Sequence, residues 1–338
     1  MPAPMSREPA GALSVVVVAY NSAGALEASL PALCPQLAPG DELVVVDNAS
    51  ADDTLAVVRR LAPDAVVIES PGNTGFAAAA NAGAHASRGD LLLLLNPDAV
   101  PAPGFVDAIR SPDGDWTAWM GLVRAGRGVN SSGGVVHFTG IAWAGQVAPA
   151  GAREVAFLSG ACLAVPRLAF LEAGGFAEAY FMYQEDVDLS LRLRLTGARL
   201  GVEPAAVVDH DYEFAKGPEK WRLLERNRWA TIVRCYPGRL LVLLAPALAA
   251  TELALLAVAA AGGWLPQKLA AMRETVPALP GLLRERRAIQ ARRTVTAAEF
   301  AGGLTADLDS PFLGRSGRSR LLRALLRGYW RLVLVALR

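Results

Sequence analysis

The chain reads as an α/β protein built on a Rossmann-like, mostly parallel sheet, followed by a helical C-terminal region. Three observations predict this. Short apolar runs at 13–19, 42–46, 66–69 and 91–95 alternate with helical stretches, the order that sets parallel strands side by side with helices on the sheet faces. Leu91–Leu95 is five consecutive leucines, as a strand buried on both faces requires. Three of the runs stop abruptly in polar residues, Tyr20-Asn21-Ser22, Asp47-Asn48 and Asn96-Pro97-Asp98. Carboxyl strand ends are where open α/β sheets bind ligands.

Taken in order, Leu13–Ala19 is β-branched and apolar, a buried first strand. Residues 23–37 read as a helix interrupted or ended around Pro35. Glu42–Val46 is the second strand. Ser50 is the expected N-cap of a helix to about Leu61, with Asp52 and Asp53 in its first turn. Val66–Glu69 is a short third strand. Pro71-Gly72-Asn73-Thr74-Gly75-Phe76 is a turn-rich loop into an Ala-rich helix carrying Asn81 and Gly83. After Leu95, Pro97 forbids further ladder pairing, so the chain turns and leaves Asp98 at a strand end.

Residues 111–155 are Gly-rich and irregular, with Trp116, Trp119 and Trp143; core packing and a sugar-stacking platform both fit these tryptophans. Val155–Val165 reads as a buried strand bent at Ser159-Gly160, and 167–173 as a helix ending in Gly174-Gly175. Glu185, Asp186 and Asp188 then put three carboxylates in four residues, between an aromatic run and an amphipathic helix. If Asp186 or Asp188 caps that helix, the macrodipole favours its ionised form, and an ionised carboxylate can accept a proton from an attacking hydroxyl. A plain acidic first turn is the competing reading. Of three histidines, His85 reads as surface and His137 as structural. His210 follows the last strand, Ala205–Val208, between Asp209 and Asp211, and is the metal-ligand candidate, with a surface histidine as the alternative.

The first strand-to-helix turn, Ala19-Tyr20-Asn21-Ser22-Ala23-Gly24, has one glycine. It lacks the G-x-G-x-x-G fingerprint of a dinucleotide site, and no Walker A loop is present. A dehydrogenase is thereby disfavoured. An aromatic at one strand end and a carboxylate at the next suit a flat base held by stacking and hydrogen bonding.

Composition sets the partners. The chain has 338 residues, 53% of them hydrophobic and 19% charged, with net charge +1. That balance hides an asymmetry: residues 1–212 hold 12 Lys/Arg against 23 Asp/Glu, and residues 266–338 hold 14 against 5. An acidic body with a basic, apolar tail points to an anionic membrane surface. The tail's arginines alternate with Leu, Val and Trp, unlike a nucleic-acid-binding arm. Cys34, Cys162 and Cys235 form neither a disulfide framework nor a zinc motif, which fits a reducing compartment. Met1–Leu13 has no long apolar core and is not read as a signal peptide.

Glu225-Arg226-Asn227-Arg228-Trp229 reads as a basic-aromatic helix at the domain's edge. Residues 240–264 are long enough to span a bilayer, which takes roughly 20 residues. Glu252 in their middle would be costly there, so an in-plane or hairpin helix competes with a span. Basic helices follow at 282–287 and 318–338, the second suited to an interfacial anchor or to a partner protein. Residues 294–317 read as a loop.

Together these motifs resemble the family 2 glycosyltransferases of the GT-A fold, most of all the bacterial rhamnosyltransferase-like branch. The carrying stretches are V-V-A-Y-N at 17–21, V-V-D-N-A-S-A-D-D-T at 45–54, G-N-T-G-F with N-A-G at 72–83, L-N-P-D at 95–98, G-G-F at 174–176 and F-M-Y-Q-E-D-V-D-L-S-L-R at 181–192, with a histidine at 210. The resemblance spans about 13–236. It implies a donor-nucleotide site from Ala19, Tyr20, Asn21, Asp47, Asn48, Asn73, Gly75, Phe76, Asn81, Asn96 and Pro97. It implies Asp98 and His210 as ligands of Mg²⁺ or Mn²⁺, and Asp186 as catalytic base with Glu185 beside it. The first acidic place of D-x-D is Asn96 here, one carboxylate fewer for a metal. The implied activity is inverting transfer from dTDP-rhamnose or a UDP-sugar to a glycan or lipid-linked acceptor in cell-wall or surface polysaccharide synthesis, at the cytoplasmic face of a bacterial plasma membrane. Residues 1–238 would be the catalytic domain and 239–338 the membrane-association region. A non-catalytic nucleotide-sugar-binding scaffold is the alternative.

Overall fold

The computed structural model describes residues 11–210, 217–309 and 319–338. Asp211, the N-terminal stretch before Gly11 and residues 310–318 of the expected loop and last helix lie outside the described residues. Strands β1 (Leu13–Ala19), β2 (Glu42–Asp47), β3 (Val66–Glu69) and β4 (Leu91–Leu95) pair in parallel in the order β3-β2-β1-β4. Helices α1 (Ala23–Leu33), α2 (Thr54–Leu61) and α3 (Gly75–Ala86) connect them. Every residue of β1 and β4 is buried; each leucine so removed from water contributes about 1.5–3 kcal/mol.

The register explains how distant motifs meet. Ala19 pairs with Asp47, and Val17 with Leu95. The three polar strand ends therefore emerge along one edge. β2 and β4 lie on opposite sides of β1, so that edge is a topological switch point.

Beyond β4 the sheet is mixed. Strands β5 (Val100–Pro101), β6 (Ala118–Ala125), β7 (Gly128–Ser131), β10 (Arg153–Glu154), β11 (Cys162–Pro166) and β12 (Leu200–Asp209) extend it in the order β10-β12-β6-β11-β4, with β5 on β12 and β7 on β6. β11 is antiparallel to both β4 and β6, and β12 is parallel to β6. β8 (Gly134–Val136) and β9 (Ala142–Ala144) form a separate ribbon. Helices α4 (Phe105–Arg110), α5 (Arg167–Glu172) and α6 (Glu185–Leu195) complete this half.

Several local expectations are corrected. The strand read at 155–165 shrinks to Cys162–Pro166, because residues 155–158 bond away from it, to Leu200, Gly134 and Ser190. Ser50 is not the cap of α2. That place falls to Asp53, and Ser50 instead accepts from Asn21 N while Asp52 accepts from Thr54 N and Ala23 N. The last strand begins at Leu200, with a bulge between Glu203 and Val207. The loop read at 294–317 contains α10 (Ala297–Gly302), opened by a Thr296/Glu299 capping box; the T-x-x-E spacing was a legible start signal.

The C-terminal helices are α7 (Glu219–Cys235), α8 (Gly238–Ala261), α9 (Leu265–Ala291) and α11 (Arg320–Leu337). They share a second core with the body: Val136, Phe138, Val187 and Leu191 pack with Ile232, Tyr236, Leu244, Phe300 and Trp330. Glu252, costly in lipid, is ion-paired to Arg228 of α7 and, at 2.6 Å, to Lys268 of α9.

Candidate active site

The first cluster sits at the ends of β1 and β2. Tyr20 is half exposed, and Asn21 and Ala49 take left-handed backbone conformations (φ 49° and 64°). Asp47 is buried; its Oδ2 accepts from Ser50 N at 3.2 Å, and its Oδ1 has no hydrogen-bond partner among the described residues. Such an orphaned acceptor is costly unless a ligand donor reaches it. Asn48 is a latch: its amide donates to Asn73 Oδ1 (3.0 Å), and its carbonyl accepts from Thr74 N (2.9 Å) and Thr74 Oγ1 (3.1 Å). Its backbone N donates to Ala19 O. Asn73 in turn accepts from Gly75 N. Gly75 has φ +83°, and a Cβ there would come within 2.5 Å of Phe181, so the loop requires glycine.

Asn81 braces α3 against the G-G-F turn. Buried on α3, it accepts from Phe176 N (2.8 Å) and donates to Phe176 O and Glu178 Oε1. Phe76 packs near Phe176, ring centroids 5.7 Å apart. The G-G-F turn is thereby pinned to α3.

The second cluster lies past β4. Pro97 O accepts from Ser29 Oγ, fixing the turn that exposes Asp98. Buried His210 presents Nε2 to Asp98 Oδ1 at 3.0 Å and to Asn96 Nδ2 at 3.2 Å. Asn130, which nothing in the glycine-rich stretch had marked, donates to His210 O and faces Nδ1. An open cavity of about 420 Å³ is lined by Asp98, Val100, Arg124, Gly126, Asp209 and His210. Arg124 and Asp209 pair across its wall at 3.0 Å.

A metal fits this donor set. His210 Nε2 and Asp98 Oδ1, 3.0 Å apart, offer one nitrogen and one oxygen ligand side by side, with Asn96 Nδ2 at 3.2 Å from the same nitrogen. Among the described residues no group of three His, Cys, Asp or Glu side chains gathers, and Asp98 with His210 is the pair they offer. That matches an ion completed by substrate phosphate and water.

The third cluster is the start of α6. Gln184 is its N-cap, in a left-handed conformation, so neither Asp186 nor Asp188 caps the helix. Asp186 Oδ2 accepts from Gly160 N (3.1 Å) and Oδ1 from Val187 N (2.8 Å). Burial outweighs these bonds and raises Asp186 to about 6, against the expectation that the macrodipole would lower it. Burial, with Asp186 next to it, holds Glu185 well above the usual carboxylate range. Asp186, whose two oxygens are held by backbone N–H groups and which is less buried than Glu185, is the base candidate of the pair. Asp188 is structural: fully buried, it pairs with Arg192 and Arg234, both at 2.7 Å.

The last two clusters are joined through the backbone. Asn96 N donates to Ala161 O (3.0 Å), and the preceding Gly160 N holds Asp186. The tryptophans at 116, 119 and 143 are buried, which settles them as packing residues.

The segment before α6 is strained. Phe181, Tyr183 and Gln184 have φ of 65°, 68° and 67°, each an uncommon state for a side chain of this size. Buried Asn227 on α7 gathers three of its carbonyls, donating to Tyr180 O, Met182 O and Tyr183 O at 2.8–3.1 Å. Arg226 adds Ala179 O and Tyr180 O. Asn227→Ala is expected to lower kcat roughly 10- to 100-fold through misplacement of Asp186, with donor KM little changed; steady-state kinetics checks this.

A sheet switch point with an orphaned carboxylate oxygen on Asp47, an N-P-D carboxylate facing a histidine and a partly buried carboxylate at the start of α6 suits a nucleotide-sugar transferase. Residues 14–112 match the model of glycosyl transferase family 2. The N-acetylglucosaminyl-diphospho-decaprenol L-rhamnosyltransferase of Mycobacterium tuberculosis (strain ATCC 25618 / H37Rv) is 29% identical over 255 residues, 65% of this chain and 83% of that protein. Rhamnosyltransferase WbbL of Escherichia coli (strain K12) is 45% identical over 75 residues, 21% of this chain and 28% of that protein. Over residues 14–112 the chain matches the family 2 glycosyltransferases, and its sequence is similar to those of rhamnosyltransferases. Solved structures agree in fold. Mannosyltransferase PcManGT from Pyrobaculum calidifontis, in complex with GDP-Man and Mn²⁺, covers 86% of this chain and 89% of its own at TM-score 0.51 and 22% identity. GalNAc-T7 with UDP, GalNAc and Mn²⁺ covers 69% of this chain and 49% of its own at TM-score 0.57 and 16% identity.

Proposed function

We propose that the chain transfers a sugar, with inversion, from dTDP-rhamnose or a UDP-sugar to a hydroxyl of a lipid-linked glycan in cell-wall or surface polysaccharide synthesis, at the cytoplasmic face of a bacterial plasma membrane. One observation carries the reading: the Asp98–His210 pair and the base Asp186 hang on one backbone bridge, Asn96–Ala161–Gly160. In this reading Asp47 supplies an acceptor for the N–H of a uracil or thymine base, with Tyr20 beside it at the mouth. Asn48 and Asn73 shape the loop over the donor. Asp98 and His210 hold Mg²⁺ or Mn²⁺, which when bound offsets the charge of the leaving diphosphate. Asp186 takes the proton of the acceptor hydroxyl as it attacks the anomeric carbon. The sequence likeness to a decaprenol-linked L-rhamnosyltransferase supports the donor and acceptor choice, and the Mn²⁺ in fold neighbours supports the cation.

The test is a thermal-shift titration of the full chain with dTDP- and UDP-sugars, with and without Mn²⁺. Binding to the native state raises Tm by mass action. A metal-dependent shift with one sugar nucleotide, lost in Asp98→Ala, is expected. Folded protein that shifts with no nucleotide sinks the reading, and binding without turnover on a lipid-linked acceptor favours a scaffold.

A further inference from the structure

We propose that α8 and α11 form a docking layer that lies in the plane of an anionic lipid surface, and that α8 does not cross the bilayer. The inference rests on the transferase reading and says how its site is brought to a lipid-borne acceptor.

By length and composition α8 qualifies as a membrane span. Its surroundings say otherwise. One face, Leu240, Leu244, Leu248 and Ala259, is buried, while Val242 and Leu253 on the other stand exposed. Glu252, past the middle of the helix, belongs to a buried four-charge cluster. It pairs with Arg228 and Lys268, and Glu225 pairs with the same two cations. Lys268 is fully buried and Arg228 nearly so. The cluster is neutral and ties α7, α8 and α9 together. Threading α8 through a bilayer would strip Glu252 of both partners in hydrocarbon and leave two buried cations sharing one carboxylate. Arg228 also follows Asn227, which grips the segment before Asp186. α8 is therefore fixed to the catalytic body by its charged face, and only its apolar outer face is available.

α11 lies antiparallel beside it, through bonds from Tyr329 Oη to Leu243 O and from Arg239 to Ala336 O. Trp330, Val333 and Leu337 face inward, and Trp330 stacks on Phe138 at 5.0 Å. Leu321, Leu325, Leu332 and Val335 form an outward stripe, each more than 60% exposed. Arg320, Arg331 and Arg338 line a neighbouring stripe of the helix beside Arg327, which is paired with Asp307 at 2.6 Å, and the helix sequence contains no acidic residue. An exposed apolar stripe flanked by guanidinium groups matches a headgroup boundary, where leucines enter the acyl edge and arginines meet lipid phosphates. Charge complementarity selects anionic lipid.

The experiment uses the full chain with Cys34→Ser as background. Nitroxide labels at Val242→Cys, Ala250→Cys and Ala257→Cys report depth in vesicles of phosphatidylcholine alone and mixed with phosphatidylglycerol. Binding to the mixed vesicles is expected, with all three labels at one shallow depth. Leu325→Glu with Leu332→Glu is expected to lower partitioning at least about tenfold, with donor binding by calorimetry unchanged. A profile deepest at position 250, binding indifferent to lipid charge, or no vesicle binding by folded protein overturns the proposal. Protein that binds donor and ignores vesicles sinks the docking alone; protein that docks and binds no sugar nucleotide sinks the transferase reading alone.

Discussion

Asp186→Asn is expected to lower kcat by about 10²- to 10⁴-fold, the usual contribution of a positioned general base, while donor binding persists. The asparagine keeps an oxygen for Gly160 N or Val187 N but cannot accept a proton. In the unsubstituted enzyme the pH dependence follows from burial, which sets Asp186 at about 6. Above that pH the carboxylate is ionised and able to act; below it the group is neutral and the rate falls. A pH–rate profile of kcat should show an acid limb with its midpoint near 6, and the limb should vanish in Asp186→Asn. Equal loss in Glu185→Gln with normal rates in Asp186→Asn would overturn the assignment.

Asp188→Asn, two residues on, should show the opposite pattern: an effect on stability first. Asp188 is fully buried and carries Arg192 and Arg234 at 2.7 Å each, with Tyr180 Oη at 3.2 Å. Neutralising it leaves two buried guanidinium groups sharing what remains, a loss of about 3–5 kcal/mol for a broken buried pair. Urea unfolding measures it, and a loss under about 1 kcal/mol, the scale of an exposed pair, would contradict the network. The two arginines hold Asp188 below the usual carboxylate range although burial alone would raise it. A lowered folded pKa makes this contribution fully present above the unfolded value near about 4 and lost as pH falls through the folded one. Acid should therefore unfold the protein in part through Asp188.

These two carboxylates mark how far the residues alone could be read. Leu91–Leu95 and Leu13–Ala19 were legible as strands because burial on both faces leaves no polar position to confuse the pattern. The turn at Asn96-Pro97-Asp98 was legible because proline ends a ladder. The antiparallel insertion of β11 beside β4 was not, since pairing direction depends on a partner far along the chain. Glu185, Asp186 and Asp188 looked alike in sequence. Gly160, 26 residues away, holds Asp186, and Arg234, 46 residues away, claims Asp188. Glu252 looked like a flaw in an apolar helix until Arg228 and Lys268 were seen to meet it.

The sequence by itself determined the strand runs, the polar strand ends, the acidic body and the basic, apolar tail, because hydrophobic period, turn chemistry and composition are local. Only the tertiary structure decided which carboxylate the backbone of Gly160 holds, which is tied up by two arginines, and that the charged face of α8 turns inward. Those are matters of desolvation and pairing, and both depend on what the fold brings to within about 3 Å, the reach of a hydrogen bond.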